Sequence, residues 1–198
     1  MDSLYTLELT MIELDDPRWA ELWHSYGSGD SVPPLLRRIE RSKKDLPEKF
    51  WDDFQNILCH QCSTGSASVA AFPHLIRIAS DNHRNENGFQ SLYLAALILA
   101  FELGPKNKID NHWKVSLRPN PDFLFDPFKD AVRQGKELVA NMMFRKRHKY
   151  DRTMEYLAIS GVFAMHSQIF LLLPQLKRKK IECFECGHVA NTDDMFTY

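Results

Sequence analysis

The sequence predicts an all-α protein, an α-solenoid of stacked antiparallel helix pairs with a short irregular tail. Three observations predict it. Phe50, Trp51, Phe54, Ile57 and Leu58 recur at helical spacing, which puts all of them on one side of a helix. The stretch from Phe89 to Leu103 is apolar nearly all round, so it must be covered on every side and belongs at the centre. Proline, glycine and aspartate punctuate such stretches at short intervals, and no two stretches are set up to pair as strands. Consecutive helices that each bury one stripe against the next form a bundle or a right-handed solenoid. The paired rhythm favours the solenoid.

Taken in order, residues Leu4 to Ile12 alternate loosely and read as an extended leader, since one strand without a partner is only an appendage. Asp16-Pro17 reads as a helix start, with an acceptor for the first free amides and a φ already set. Gly27 and Gly29 end that segment after one or two turns. A second start lies at Asp30 to Pro34, after which Leu35, Leu36 and Ile39 share a face and Arg37, Arg38 and Arg41 turn to water. The helix with the clean stripe opens at Leu46-Pro47. The next spans Ser66 to Ser80, with Val69, Ala70, Phe72, Leu75, Ile76 and Ala79 apolar. Pro73 inside it predicts a kink where the amide to residue 69 is missing.

In the apolar helix that follows, Ala95, Ala96 and Ala100 let neighbours approach closely, and Gly104-Pro105 end it. The polar stretch to Pro121 is the longest loop, a kind of segment that often carries function. Helices follow over 122–144, with Phe125, Phe128, Val132, Val139 and Met142, and over 151–165. A last helix, 168–176, is broken late by Pro174, and the residues from Ile181 are not helix-like. The expected organisation is one helical domain, 1–180, and a tail, 181–198.

A chain of 198 residues with 44% hydrophobic and 26% charged residues supports one sizeable core. Thirteen Phe and four Trp argue against disorder over most of it. The net charge of -1 excludes a generally basic nucleic-acid binder. The charge is nonetheless uneven: Glu8, Glu13, Asp15, Asp16 and Glu21 contrast with the basic runs Arg145 to Lys149 and Lys177 to Lys180. The plain reading of both runs is solvated loops, and the sharper one is docking to an acidic surface or to phosphates. Met1-Asp2-Ser3-Leu4-Tyr5 lacks the basic start and apolar core of a signal peptide, and the apolar run Tyr93 to Phe101 is too short to span a bilayer. The expected location is the cytosol, where cysteines serve as thiols or metal ligands rather than disulfides.

Two stretches carry a family resemblance. One is Trp19-Ala20-Glu21-Leu22-Trp23-His24-Ser25-Tyr26-Gly27 with Ser31-Val32-Pro33-Pro34-Leu35-Leu36. The other is Ile57-Leu58-Cys59-His60-Gln61 with Ala70-Ala71-Phe72-Pro73-His74-Leu75-Ile76. Together they resemble bacterial HEAT-repeat-like proteins, many of them associated with interbacterial toxin–immunity systems. Those relatives usually carry a glycine where this chain has Cys62, and some end in a CxxCG element like Cys183-Phe184-Glu185-Cys186-Gly187. The resemblance implies a HEAT-like α-solenoid and a role as an immunity or accessory component, with no catalytic residues. In the residues themselves, Trp19, His24 and Tyr26 would most simply pack the first helix pair. His60 and Gln61 would satisfy the last carbonyls of a helix end.

The one constellation with chemical spacing is cysteine-based. All four cysteines fall in two CxxC pairs, Cys59 with Cys62 and Cys183 with Cys186. Two such turns offer the four thiolates of a closed, structural zinc site. Gly187 and His188 strengthen the second pair. The first is weaker, because Cys59 falls in a last helical turn and reads equally as a core thiol. His188, Asp193 or a second chain are the alternative ligands. Neither pair sits in the βαβ setting of a redox motif. No Gly-rich phosphate loop, HExxH or Gly-x-Ser-x-Gly elbow is present in the sequence. His24, His60 and His74 would bind metal only if stacking made them converge.

The expected function is non-catalytic protein binding: an immunity protein that neutralises a cognate bacterial toxin by occlusion. The alternative is a nucleic-acid-associated zinc-binding protein built on the C-terminal CxxCGH and its basic neighbours. A metal-dependent hydrolase using the histidines comes third.

Overall fold

Among the residues that the computed structural model describes (11–60, 63–103, 120–143, 159–164, 180–182 and 189–191), helices dominate. They are α1 (Val32–Arg41), α2 (Glu48–Leu58), α3 (Ser66–Asp81), α4 (Glu86–Leu103) and α5 (Phe125–Met143), with a helical turn at 159–163. The helix expected over 168–176 lies outside the described residues, as does most of the expected loop 104–121.

The first segment departs from expectation. Asp16 does start it, its carboxylate accepting from the Arg18 amide at 2.8 Å with Pro17 at the first position. The turn formed is a tight 3-10 helix, Pro17–Glu21, that stops well before Gly27. Leu22 is extended and buried. Its carbonyl accepts from the Gly29 amide at 2.8 Å, and between them the chain folds into a hairpin, β1 (Trp23–His24) against β2 (Gly27–Ser28). Gly27, at φ 148°, supplies the turn conformation that residues with a side chain rarely adopt.

A second hairpin pairs β3 (Cys59–His60) with β4 (Ser63–Thr64), Cys59 opposite Thr64 and His60 opposite Ser63. A third pairs β5 (Lys180–Glu182) with β6 (Val189–Asn191), Glu182 opposite Val189. Ladders of two or three residues are too short to leave an alternating pattern, which is why the sequence shows no strand pairs.

Of the expected α2 stripe, Phe50, Trp51, Phe54 and Leu58 are buried, and Ile57 is half-buried against the same core. The centre of the core differs. The α4 helix is buried nearly all round, but α3 is too, and it is α3 that packs against α1, α4, α5 and β1. Ala67, Ala70, Ala71 and Ala79, with Ser66 and Ser68, are small enough to admit neighbours on every side. The helix runs unbroken through Pro73. The four-residue connection 82–85 folds α4 back along α3. Phe72 packs on Phe128 and Phe163 at ring separations of 4.6 and 6.3 Å, fixing α5 and the 159–163 turn to the same helix.

One buried side chain ties the first half of the fold together. Asn87, at the start of α4, accepts from the Leu46 amide at 2.8 Å and donates to the Lys44 carbonyl at 2.9 Å. Asp45 accepts from the Glu86 amide at 3.2 Å. The α1–α2 connection is thereby held against the N-terminal turn of α4, where free amides favour a carboxylate. No described helix is long and apolar enough to cross a membrane.

Candidate protein-binding surface

Residues of the segments Trp23 to Ser31 and Cys59 to Ser68 meet where the first two hairpins adjoin α3. His24 is buried within the first hairpin. Its Nδ1 accepts from the Tyr26 amide at 3.1 Å, which leaves the proton on Nε2 to donate to Ser31 Oγ at 2.8 Å. Ser31 passes its own proton to the Ser28 carbonyl at 3.3 Å. Both ring nitrogens are used to hold the turn, so His24 is a structural histidine.

The second hairpin is locked to the first by a close backbone approach. The Trp23 amide donates to Ser66 Oγ at 3.0 Å. A Cβ on Gly65 would stand 2.3 Å from the Trp23 carbonyl oxygen and 2.8 Å from its indole ring. Only glycine admits that contact. Ser68 donates to the Leu58 carbonyl at 2.5 Å and accepts from the Gly65 amide at 3.2 Å, joining the end of α2 to the start of α3. Thr64 donates to Glu102 of α4, whose carboxylate stands alone among apolar neighbours in the sequence.

This packing brings Tyr26 and His60 together. The Tyr26 hydroxyl lies 2.8 Å from His60 Nδ1, and the two rings meet edge to face at 5.0 Å. Tyr26 is nonetheless 61% exposed, the one large exposed hydrophobic among the described residues. His60 lies in β3, beyond the end of α2, and bonds this tyrosine.

His74 is elsewhere. It is buried in α3 and donates from Nε2 to the Ile12 carbonyl at 2.9 Å. Trp19 packs on it at 6.1 Å and donates its own indole proton to the next carbonyl, Glu13, at 2.9 Å. Burial pulls the His74 pKa down to about 4, the Ile12 bond only partly opposing it. Its Nδ1 has no hydrogen-bond partner among the described residues. The three histidines thus have three separate structural settings. No group of three or more His, Cys, Asp or Glu is placed to hold a metal among the described residues.

Of the four cysteines, Cys59 is described; Cys62, Cys183 and Cys186 lie outside the described residues. Cys59 is buried in β3, and loss of water, then the charge of Glu102, pushes its thiol above the usual range. That environment favours the protonated thiol over the thiolate that zinc needs, unless metal itself displaces the proton. The β5–β6 ladder pairs the two residues, Glu182 and Val189, that bracket Cys183 to His188. Compared with known proteins, the chain matches no family model, no curated protein and no solved structure at a significant level.

Proposed function

We propose that this chain is a non-catalytic protein-binding protein, an immunity protein that neutralises a cognate bacterial toxin in the cytosol by covering it. In this reading its helix pairs stack as a HEAT-like solenoid. The observation that supports binding best is Tyr26. An aromatic ring left largely in water forfeits the free energy of burial, yet this one is fixed in place by His60 and by the hairpin around His24. Rigid, amphipathic rings of this kind give contact area at little entropic cost and commonly anchor interfaces. Parts of both stretches that resemble toxin-associated proteins, His24 to Ser31 and Cys59-His60, build this corner.

Affinity capture from the native cytoplasm, followed by mass spectrometry, tests the reading. One protein should be recovered in stoichiometric amount. Tyr26→Ala should weaken its binding by about thirtyfold, roughly 2 kcal/mol, with little change in melting. If His24, His60 or His74 substitutions left folding and binding intact but abolished protection, occlusion would be the wrong mechanism and an enzymatic antidote would replace it.

The zinc reading is part of the same proposal. Cys183 and Cys186 would be ligands, and Cys59 and Cys62 would complete the site. The paired strands that flank the second CxxC in the chain support it, because they hold the two ends of that segment together.

A further inference from the structure

The helix α1 presents an open groove of about 560 Å³ lined by Pro34, Arg37, Arg38, Arg41, Ser42 and Leu46. Its charge is uncompensated. The one acidic residue of α1, Glu40, is paired with Arg77 of α3. Asp45, the first acid after the helix, accepts from the Glu86 amide at the α4 N-terminus. No carboxylate pairs with Arg37, Arg38 or Arg41 among the described residues, and Lys43 and Lys44 beside them are exposed.

Two of its residues are held in place by contacts outside the groove. The Arg38 guanidinium lies over the Phe50 ring at 5.0 Å, which holds it by a cation–π contact. Leu46 is fixed through its amide to Asn87. Arg37 and Arg41 are one helical turn apart, so they share a face of α1 and both line the groove.

We propose that this groove is a docking site for an acidic segment of a partner protein, one that alternates carboxylates with apolar side chains. The inference rests on the partner-binding reading above and adds the partner's chemistry to it. Planar forks with no internal acceptor match carboxylates in pairs, and Pro34 and Leu46 in the same groove offer apolar contact. A nucleic acid fits less well. No exposed aromatic ring lines the groove for bases to stack on, and the whole chain carries a net charge of -1.

The test titrates the full chain with a fluorescent peptide of alternating glutamate and leucine, beside a lysine-for-glutamate control and a single-stranded oligonucleotide of equal charge. The acidic peptide should bind most tightly, and binding should weaken with salt. Arg37→Glu with Arg41→Glu should weaken it at least about tenfold, while melting stays unchanged because neither side chain is paired in the fold. Arg37→Lys with Arg41→Lys keeps the charge and loses the fork, and should fall between. Tighter oligonucleotide binding at equal salt, or binding indifferent to both pairs of substitutions, would overturn the proposal. In the cytoplasmic capture, variants that still recover the same protein refute the groove and leave occlusion standing. A wild-type chain that recovers no protein sinks occlusion, and the peptide titration still decides the groove.

Discussion

Lowering the pH from neutrality asks His74 to accept a proton where it has no room for a charge. Its ordinary pKa is 6.5 and its folded value is about 4, so between those values the unfolded chain binds the proton and the folded chain does not. Stability is fully present above the unfolded value and is lost as the pH falls towards the folded one, by up to about 3 kcal/mol. His74→Gln keeps a donor for the Ile12 carbonyl and removes the titration. Melting followed between about pH 7 and pH 5 should show a loss in the wild type and a flatter profile in the variant; equal slopes would mean the acid-sensitive group lies elsewhere. At this scale the sequence is legible in part. That His24 and His74 are structural follows from the rule that buried polar groups need partners. The partners do not follow, because Ser31 and Ile12 are chosen by backbone paths that no pattern announces. Glu102 was readable as an anomaly, a carboxylate inside an apolar run, and Gly65 was readable only once Trp23 was seen against it.

Elements fared better. The stripe of α2 follows from its period and the all-round burial of α4 from a sequence apolar on every side, because covering apolar helix surface is the strongest demand on a sequence. The prominence of α3 was hidden, since its alanines and serines carry little hydrophobicity and reveal their role only as close packing. Ile98, fully buried in α4, tests that burial. An unpaired carboxylate at Ile98→Asp costs several kcal/mol, on the order of the whole stability of about 5–15 kcal/mol. The variant should be unfolded at room temperature by circular dichroism, whereas Ile98→Val should lose only about 1 kcal/mol. An Asp variant that melts like the wild type would place α4 at the surface. The hairpins escaped the sequence for the opposite reason to α2: they are shorter than the period that would betray them.

For the molecule as a whole, helical class was legible, while the arrangement of helix pairs, the partner and the metal were not, because those depend on surfaces and on which distant residues meet. The zinc proposal is checked by metal analysis of chelator-free protein, which should find about one zinc per chain if the site closes within it. Half that value in a dimer would point to shared ligands. Freely alkylated thiols at Cys183 and Cys186, with no zinc under reducing conditions, would refute it. The place of α3 between α1, α4, α5 and β1 also sets an order of assembly. Its largest contact is with the helix next in the chain, across four residues, and closing so short a connection costs little entropy. The α3–α4 pair is therefore the expected folding nucleus, which φ-values well above zero in α3 and α4 beside values near zero in α1 and α5 would check. Flaws within that pair slow folding, while flaws at its outer contacts chiefly hasten unfolding. A protein made this way shields its most apolar helix early, before synthesis and docking of the remaining elements are complete.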